Sequence, residues 1–465
     1  MSAAGRARNE TNSQTHLSHF LRHMSPALCL TPDPAGLKTM YKIREYPNGL
    51  KLITKKMPSV SSAALGLWIN TGSRNEAKRL NGVSHFLEHL LFKGSRRFSG
   101  DEIKESIEGL GGSLNAFTAE ENTCYYAKFL GRHLETVGTV LMDMVLHPLL
   151  KLKDIEKERT VIIEEIKMYK DLPQFQVEEI YDAITWPGHA LGRNIAGTIA
   201  SVASLTRRDI AAYHDDWYRP VSVVVACAGD VDEEVLDGLI RRAFGKLKRT
   251  SEAPIDLFTD TAKAPNVRIV SKDIEQTNLV IGFPGLDRTH QDRYVLSVLH
   301  VLFGGNMSSR LFNEVREKRG LAYAITSHIK RFKDNGVFFV YAGVDRKNFA
   351  EATRIILKET ARLKRDGVKA GEVRRAKEFL TAQSVMALDD TMDHMLWMGD
   401  ALLNTGTVQT KEEVRRRIAR VTAADVVRVA RRLLAPARMR VAAVGPQVAR
   451  EETVIRKAVD AFARS

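Results

Sequence analysis

An α+β fold of two homologous domains, each a largely antiparallel sheet packed with helices, is what this sequence predicts. Three observations carry the prediction. From Tyr41 the apolar pattern reads strand, strand, helix, helix, strand, strand and then helices, the order of an α+β unit. A stretch from Leu247 to Asn266 with Pro254, Pro265, Ser and Thr has the composition of an interdomain linker. At an offset of 216, Thr206, Asp209, Pro220, Val225, Ala226 and Gly229 meet Thr422, Asp425, Pro436, Val441, Ala442 and Gly445, which marks an internal repeat. With 465 residues the chain exceeds one ordinary core. The expected division is a tail over 1–39, a first domain over 40–250, a linker over 251–266 with the boundary near 255, and a second domain over 267–465.

Leu50 to Thr54 and Ala63 to Ile69 alternate as strands, and Val83 to Phe92 has helical periodicity. After the Gly111-Gly112 turn, Asn115 to Phe117 and Thr123 to Phe129 read as a strand pair. His133 to Leu146 and Asp154 to Lys170 read as helices, and antiparallel hairpins are expected to dominate the sheet. The front helix of each half also matches, Leu87 to Gly94 against Val298 to Gly305 at an offset of 211. Chemistry does not repeat with it: His85, Glu88 and His89 stand opposite Leu296, Leu299 and His300.

Composition excludes several classes. Hydrophobic residues at 44% and charged residues at 27% describe a soluble globular chain. The longest uncharged apolar run, around Val221 to Gly229, is far short of a membrane span. Cys29, Cys124 and Cys227 form no CxxC pair, which fits a reducing compartment and neither a disulfide framework nor a cysteine zinc site. The net charge of +14 is spread along helical stretches among Glu and Asp, without stacking aromatics, so no nucleic-acid partner is expected. Arg6, Arg8, Arg22 and Lys38 against Glu10 and Asp33 make residues 1–39 a leader-like or disordered tail, or a segment before a start at Met40. Its His16, His19 and His23 lack a supporting carboxylate and read as tail residues.

His85-Phe86-Leu87-Glu88-His89 sets two imidazoles four residues apart, about 40° around a helix, so both can reach one ion. Glu88, beside His89, can take the proton of an attacking water whose pKa the ion lowers. With 13 His and 56 Asp plus Glu, chance supplies about 0.04 such motifs in this chain. A third ligand is sought on the helix from Asp154, which offers Glu156, Glu158, Glu164 and Glu165. Glu158 and Glu165 are seven apart and share a face, so one could bind metal and the other orient a histidine. Alone, they also read as an ordinary charged helix side.

These motifs resemble those of the pitrilysin, insulin-degrading enzyme and mitochondrial processing peptidase family, the inverzincins. The family's third ligand lies about 76 residues beyond the second histidine, which implies Glu165, and Glu158 matches its accessory acidic residue. Ser113 to Thr118 is similar to the family's edge strand, so Asn115, Ala116 and Phe117 are implied to hold an extended peptide. Ser308-Ser309-Arg310-Leu311 and Arg316 to Tyr323 resemble its Arg/Tyr element, which implies that Arg316 and Tyr323 clamp the substrate. The resemblance spans Tyr41 to Pro446.

By that resemblance the chain is expected to be a zinc metalloendopeptidase of the short form, with one Zn2+ per chain and Glu88 as general base. It would cut short or unfolded peptides as a homodimer in the bacterial cytoplasm. The alternatives are an inactive or partner-dependent subunit, heterodimeric with a noncatalytic relative, and the mitochondrial matrix. Only Gly304-Gly305 stands where the noncatalytic processing subunit has its long glycine-rich loop, so the catalytic subunit is the better match.

Overall fold

The computed structural model describes residues 41–251, 254–262 and 264–464; the tail over 1–39 lies outside them, with its histidines and Cys29. In the first half, β1 (Lys42–Glu45), β2 (Lys51–Lys56) and β3 (Ser62–Ile69) precede α1 (Val83–Leu91) and α2 (Gly100–Glu108). β4 (Ser113–Thr118) and β5 (Thr123–Leu130) form a hairpin, followed by α3 (Leu134–Leu146), α4 (Leu152–Asp171), α5 (Pro173–Thr185), α6 (Ile199–Ser204) and α7 (Arg207–Trp217). β6 (Val223–Gly229) and α8 (Glu233–Phe244) close the unit. The sheet order is β1-β2-β6-β3-β5-β4, antiparallel except for β2 against β6. β6 is the core of the uncharged run read from the sequence, and every residue of it is buried. A continuous apolar, β-branched run suits such a central strand, covered on both faces.

The second half repeats the plan with β7 (Asn266–Ser271), β8 (Gln276–Pro284), α9 (Arg293–Phe303), β9 (Ala322–Arg331) and β10 (Gly336–Asp345). α10 (Phe349–Asp366), α11 (Ala370–Ala387), α12 (Thr391–Thr405), α13 (Lys411–Arg420) and α14 (Ala423–Leu433) follow, then β11 (Arg440–Gly445) and α15 (Glu452–Ala463). Its order, β7-β11-β8-β10-β9, is the first sheet without β1, again with one parallel pair, β7 against β11. The repeat has a physical basis. Thr206 caps α7 and Thr422 caps α14, each closing a capping box with Asp209 or Asp425. Gly229 and Gly445 end equivalent strands where a Cβ would fall 2.2 Å from Ser62 O and 2.5 Å from Thr277 Oγ1.

One face of each sheet is covered by its own helices; Leu65, Leu67, Phe86, Leu87, Val137 and Leu141 are in the first core. The opposite face is covered by a helix from the other half. Met395, Met398 and Leu402 of α12 pack on Ala64, Trp68, Val224 and Ala226, while Val177 and Tyr181 of α5 pack on Val280, Phe339 and Ala442. The two sequence halves are thus cross-braced, which amphipathic periodicity does not specify. β1, whose four residues are all exposed, gives no alternation signal and is found only in the structure.

Candidate metal site

The first turn of α1 is anchored from outside the helix. Glu76, 3% exposed, accepts from Gly82 N at 2.8 Å, Ser84 N at 2.9 Å and Asn81 Nδ2 at 3.0 Å. These bonds satisfy donors that the helix leaves open and point a carboxylate at its positive end. Burial pushes the Glu76 carboxyl up to about 7 against those bonds. Phe86, Leu87, Leu90 and Leu91 are buried on the core side, so His85, Glu88 and His89 face the open side, partly exposed.

On that side the rings of His85 and His89 lie 4.8 Å apart, and both Nε2 atoms converge on Glu165 Oε2, at 3.7 and 3.6 Å. One ligand atom from each of the three lies within 4.8 Å of the others. Two ligands on a tetrahedral zinc, each about 2.0–2.1 Å from it, sit roughly 3.4 Å apart, so this donor set fits the ion. His89 Nδ1 is 3.1 Å from Glu158 Oε2, and Glu158, 3% exposed, also pairs with Lys93 at 2.8 Å. Donation from Nδ1 leaves the lone pair on Nε2, the tautomer that a metal ligand requires. Burial of His89 disfavours its charge, but the Glu158 bond and the nearby Glu165 and Glu88 carry its pKa upward. Glu158 is raised by burial and, on balance, lowered by its bonds to His89 and Lys93.

Glu88 Oε2 accepts from Thr118 Oγ1 at 2.5 Å, a contact not read from the sequence. Thr118 ends β4, the edge strand of the first sheet, on which Asn115, Ala116 and Phe117 stand opposite Tyr126, Tyr125 and Cys124. Alternation turns Ala116 toward the core beneath α1, whereas the Phe117 ring lies 5.5 Å from Trp68 on the opposite face. Phe117 therefore meets the edge through its backbone, not its ring. Arg316 and Tyr323 form a separate group on the second half. Arg316 lies in a π-helical turn, Phe312–Glu317, with its guanidinium 4.9 Å from the Phe312 ring centre and 5.7 Å from that of Tyr323. Tyr323 is 76% exposed, near the start of edge strand β9. At the position matching His89, His300 Nδ1 lies 2.8 Å from Ser327 Oγ, and Leu296 and Leu299 fill the core.

Among known proteins, residues 51–199 match the family described as Insulinase (Peptidase family M16), and residues 204–380 the Peptidase M16 inactive domain. A protein of Mycobacterium tuberculosis named an uncharacterized zinc protease is 38% identical over 90% of this chain and 94% of its own length. One of Bacillus subtilis with the same description is 36% identical over 85% and 96%. The structure of a protease from Helicobacter pylori aligns with a TM-score of 0.81 at 22% identity, covering 87% of this chain and 99% of that one. A chain of Complex III2 from Candida albicans aligns at 0.78 and 18% identity, over 90% and 99%. Likenesses at that identity show the fold alone. Family matches across both halves and relatives above 30% identity along nearly their whole length make this chain a member of peptidase family M16.

Proposed function

We propose that the chain is a zinc metalloendopeptidase that hydrolyses short or unfolded peptides, with His85, His89 and Glu165 as ligands of one zinc and Glu88 as general base. The observation that carries this reading is the convergence of two Nε2 atoms and a carboxylate on one point, with Glu88 beside it. A zinc ion there supplies Lewis acidity, making water nucleophilic near neutral pH and polarising a peptide carbonyl. Glu88 removes the proton of the attacking water and returns it to the leaving amine. Glu158 fixes the orientation of His89. The β4 edge around Asn115, Ala116 and Phe117 pairs with the extended substrate backbone, and Arg316 with Tyr323 clamps it.

The Arg316–Tyr323 pair sits on the second half, which supports a closed chamber shared by two halves or by two copies of the chain, a homodimer. The bacterial relatives support a cytoplasmic setting; among the described residues no helix is long and apolar enough to cross a membrane. The test is zinc content and cleavage of a quenched fluorescent peptide by the purified chain, with and without chelator, beside Glu88→Gln. About one zinc per chain, chelator-sensitive cleavage and an inert Glu88→Gln variant that keeps its zinc are expected. Zinc without cleavage by the parent chain would replace this reading with a subunit that needs a noncatalytic partner, or a scaffold.

A further inference from the structure

We propose that Thr118 is a positioning residue for Glu88, and that a buried ion cluster joining the two halves at Glu121 sets the place of Thr118. This deepens the peptidase reading and rests on it. The Thr118 side chain is 1% exposed, and its hydroxyl donates to Glu88 Oε2 at 2.5 Å. A carboxylate that must meet a water and then an amine has to be held in one rotamer, and a short bond from a buried hydroxyl restricts it in that way. Thr118 is in turn fixed by the turn that follows it. Ala119 N donates to Asn122 O at 2.8 Å, Arg74 N to Glu120 O at 2.8 Å and Ser73 N to Ala119 O at 3.2 Å.

At the tip of that turn Glu121, whose side chain is 2% exposed, accepts from Arg74 Nη1 at 2.8 Å and from Lys333 N at 3.1 Å, and pairs with Arg288 at 3.1 Å. Arg74 also forks onto Asp334, 2.7 Å on each arm, and Arg288 pairs with Asp400 at 3.3 Å. Arg74 and Glu121 come from the first half, and Arg288, Lys333, Asp334 and Asp400 from the second. Taking this many charges out of water costs several kcal/mol for each ion, so the cluster is a poor source of net stability. Fixing register is the best-attested use of such groups. Here the register it fixes is that of the β4–β5 turn against the second half. The bond to Glu88 is thereby made conditional on the two halves being seated together.

The test uses the full zinc-loaded chain and the variants Thr118→Val, Thr118→Ser, Glu121→Gln and Thr118→Val/Glu121→Gln. Thr118→Val should keep zinc and KM within about twofold while kcat falls about 10- to 100-fold, and Thr118→Ser should restore most of it. Crystal structures of Thr118→Val should show the Glu88 carboxylate displaced or split between rotamers. Because Glu121 acts through Thr118, the double variant should be no slower than Thr118→Val alone. If Glu121→Gln does not fold, Arg288→Lys reads the same cycle. Glu88 unmoved in Thr118→Val, or losses that add fully in the double variant, would overturn the proposal. An inert parent chain would overturn the peptidase reading only, and the position of Glu88 in the variant crystals would still decide the role of Thr118.

Discussion

On the proposed zinc reading, Glu158 makes a directional ligand of His89. It is buried, shares its charge with Lys93 and accepts a hydrogen bond from His89 Nδ1, so the ring cannot turn without losing a charge-assisted bond. Glu158→Gln should keep the fold and weaken zinc binding about 10- to 100-fold, read by competition with a chromogenic chelator. His394, 1% exposed, shows how a fully buried histidine responds to pH. It donates Nδ1 to Leu388 O at 3.0 Å and faces the Tyr41 hydroxyl at 3.1 Å through Nε2. Burial, with Lys411 and Lys55 nearby, holds its pKa down to about 4 against the Leu388 bond and Asp389. An unfolded histidine protonates near 6.5, so between about 6.5 and 4 the unfolded chain takes up a proton that the folded chain refuses, and stability at this site falls with falling pH. Urea unfolding should therefore favour His394→Gln over the parent by an increment that grows on the order of 3 kcal/mol from pH 6.5 to 4. At this scale the HxxEH spacing was legible because helical geometry alone brings i and i+4 together. Glu165 needed the family's spacing, since Glu158 on the same face of α4 satisfied the chemistry equally well. Thr118 and Glu76 were not legible: their partners are reached through loop and strand ends that carry no periodicity.

Elements show the same division. β6 announced itself as an apolar run and α1 as a periodic one, whereas β1 is held as an edge strand by antiparallel pairing with β2 and carries no core residue. The repeat is written in caps and close approaches, and so can be tested there. Thr206→Ala and Thr422→Ala each remove a hydroxyl cap and should lower stability by about 1 kcal/mol, seen as comparable drops in melting temperature. Gly229→Ala should cost more, upward of about 2 kcal/mol. Its φ of +114° is strained for alanine, and the new methyl would meet backbone oxygen at 2.2 Å.

On the scale of the whole molecule, the exchange of α5 and α12 decides how the chain behaves as a unit. Gly66 lies where a Cβ would come 2.4 Å from Met395 Sδ, so α12 seats directly on the first sheet. Expressed alone, residues 41–250 should aggregate through the bared face around Ala64, Trp68, Val224 and Ala226, and co-expression with residues 251–465 should recover soluble protein. Light scattering and co-purification check both outcomes. The same exchange sets a clock on biosynthesis. Strand β6 ends at Gly229, but the helix that shields its outer face is complete only at Thr405. At about 5–20 residues per second, a ribosome needs roughly 10 to 35 seconds to cross that interval. For that time the nascent first sheet is a finished template with one naked side, so the protein's dependence on chaperones should peak during elongation and end once α12 has emerged.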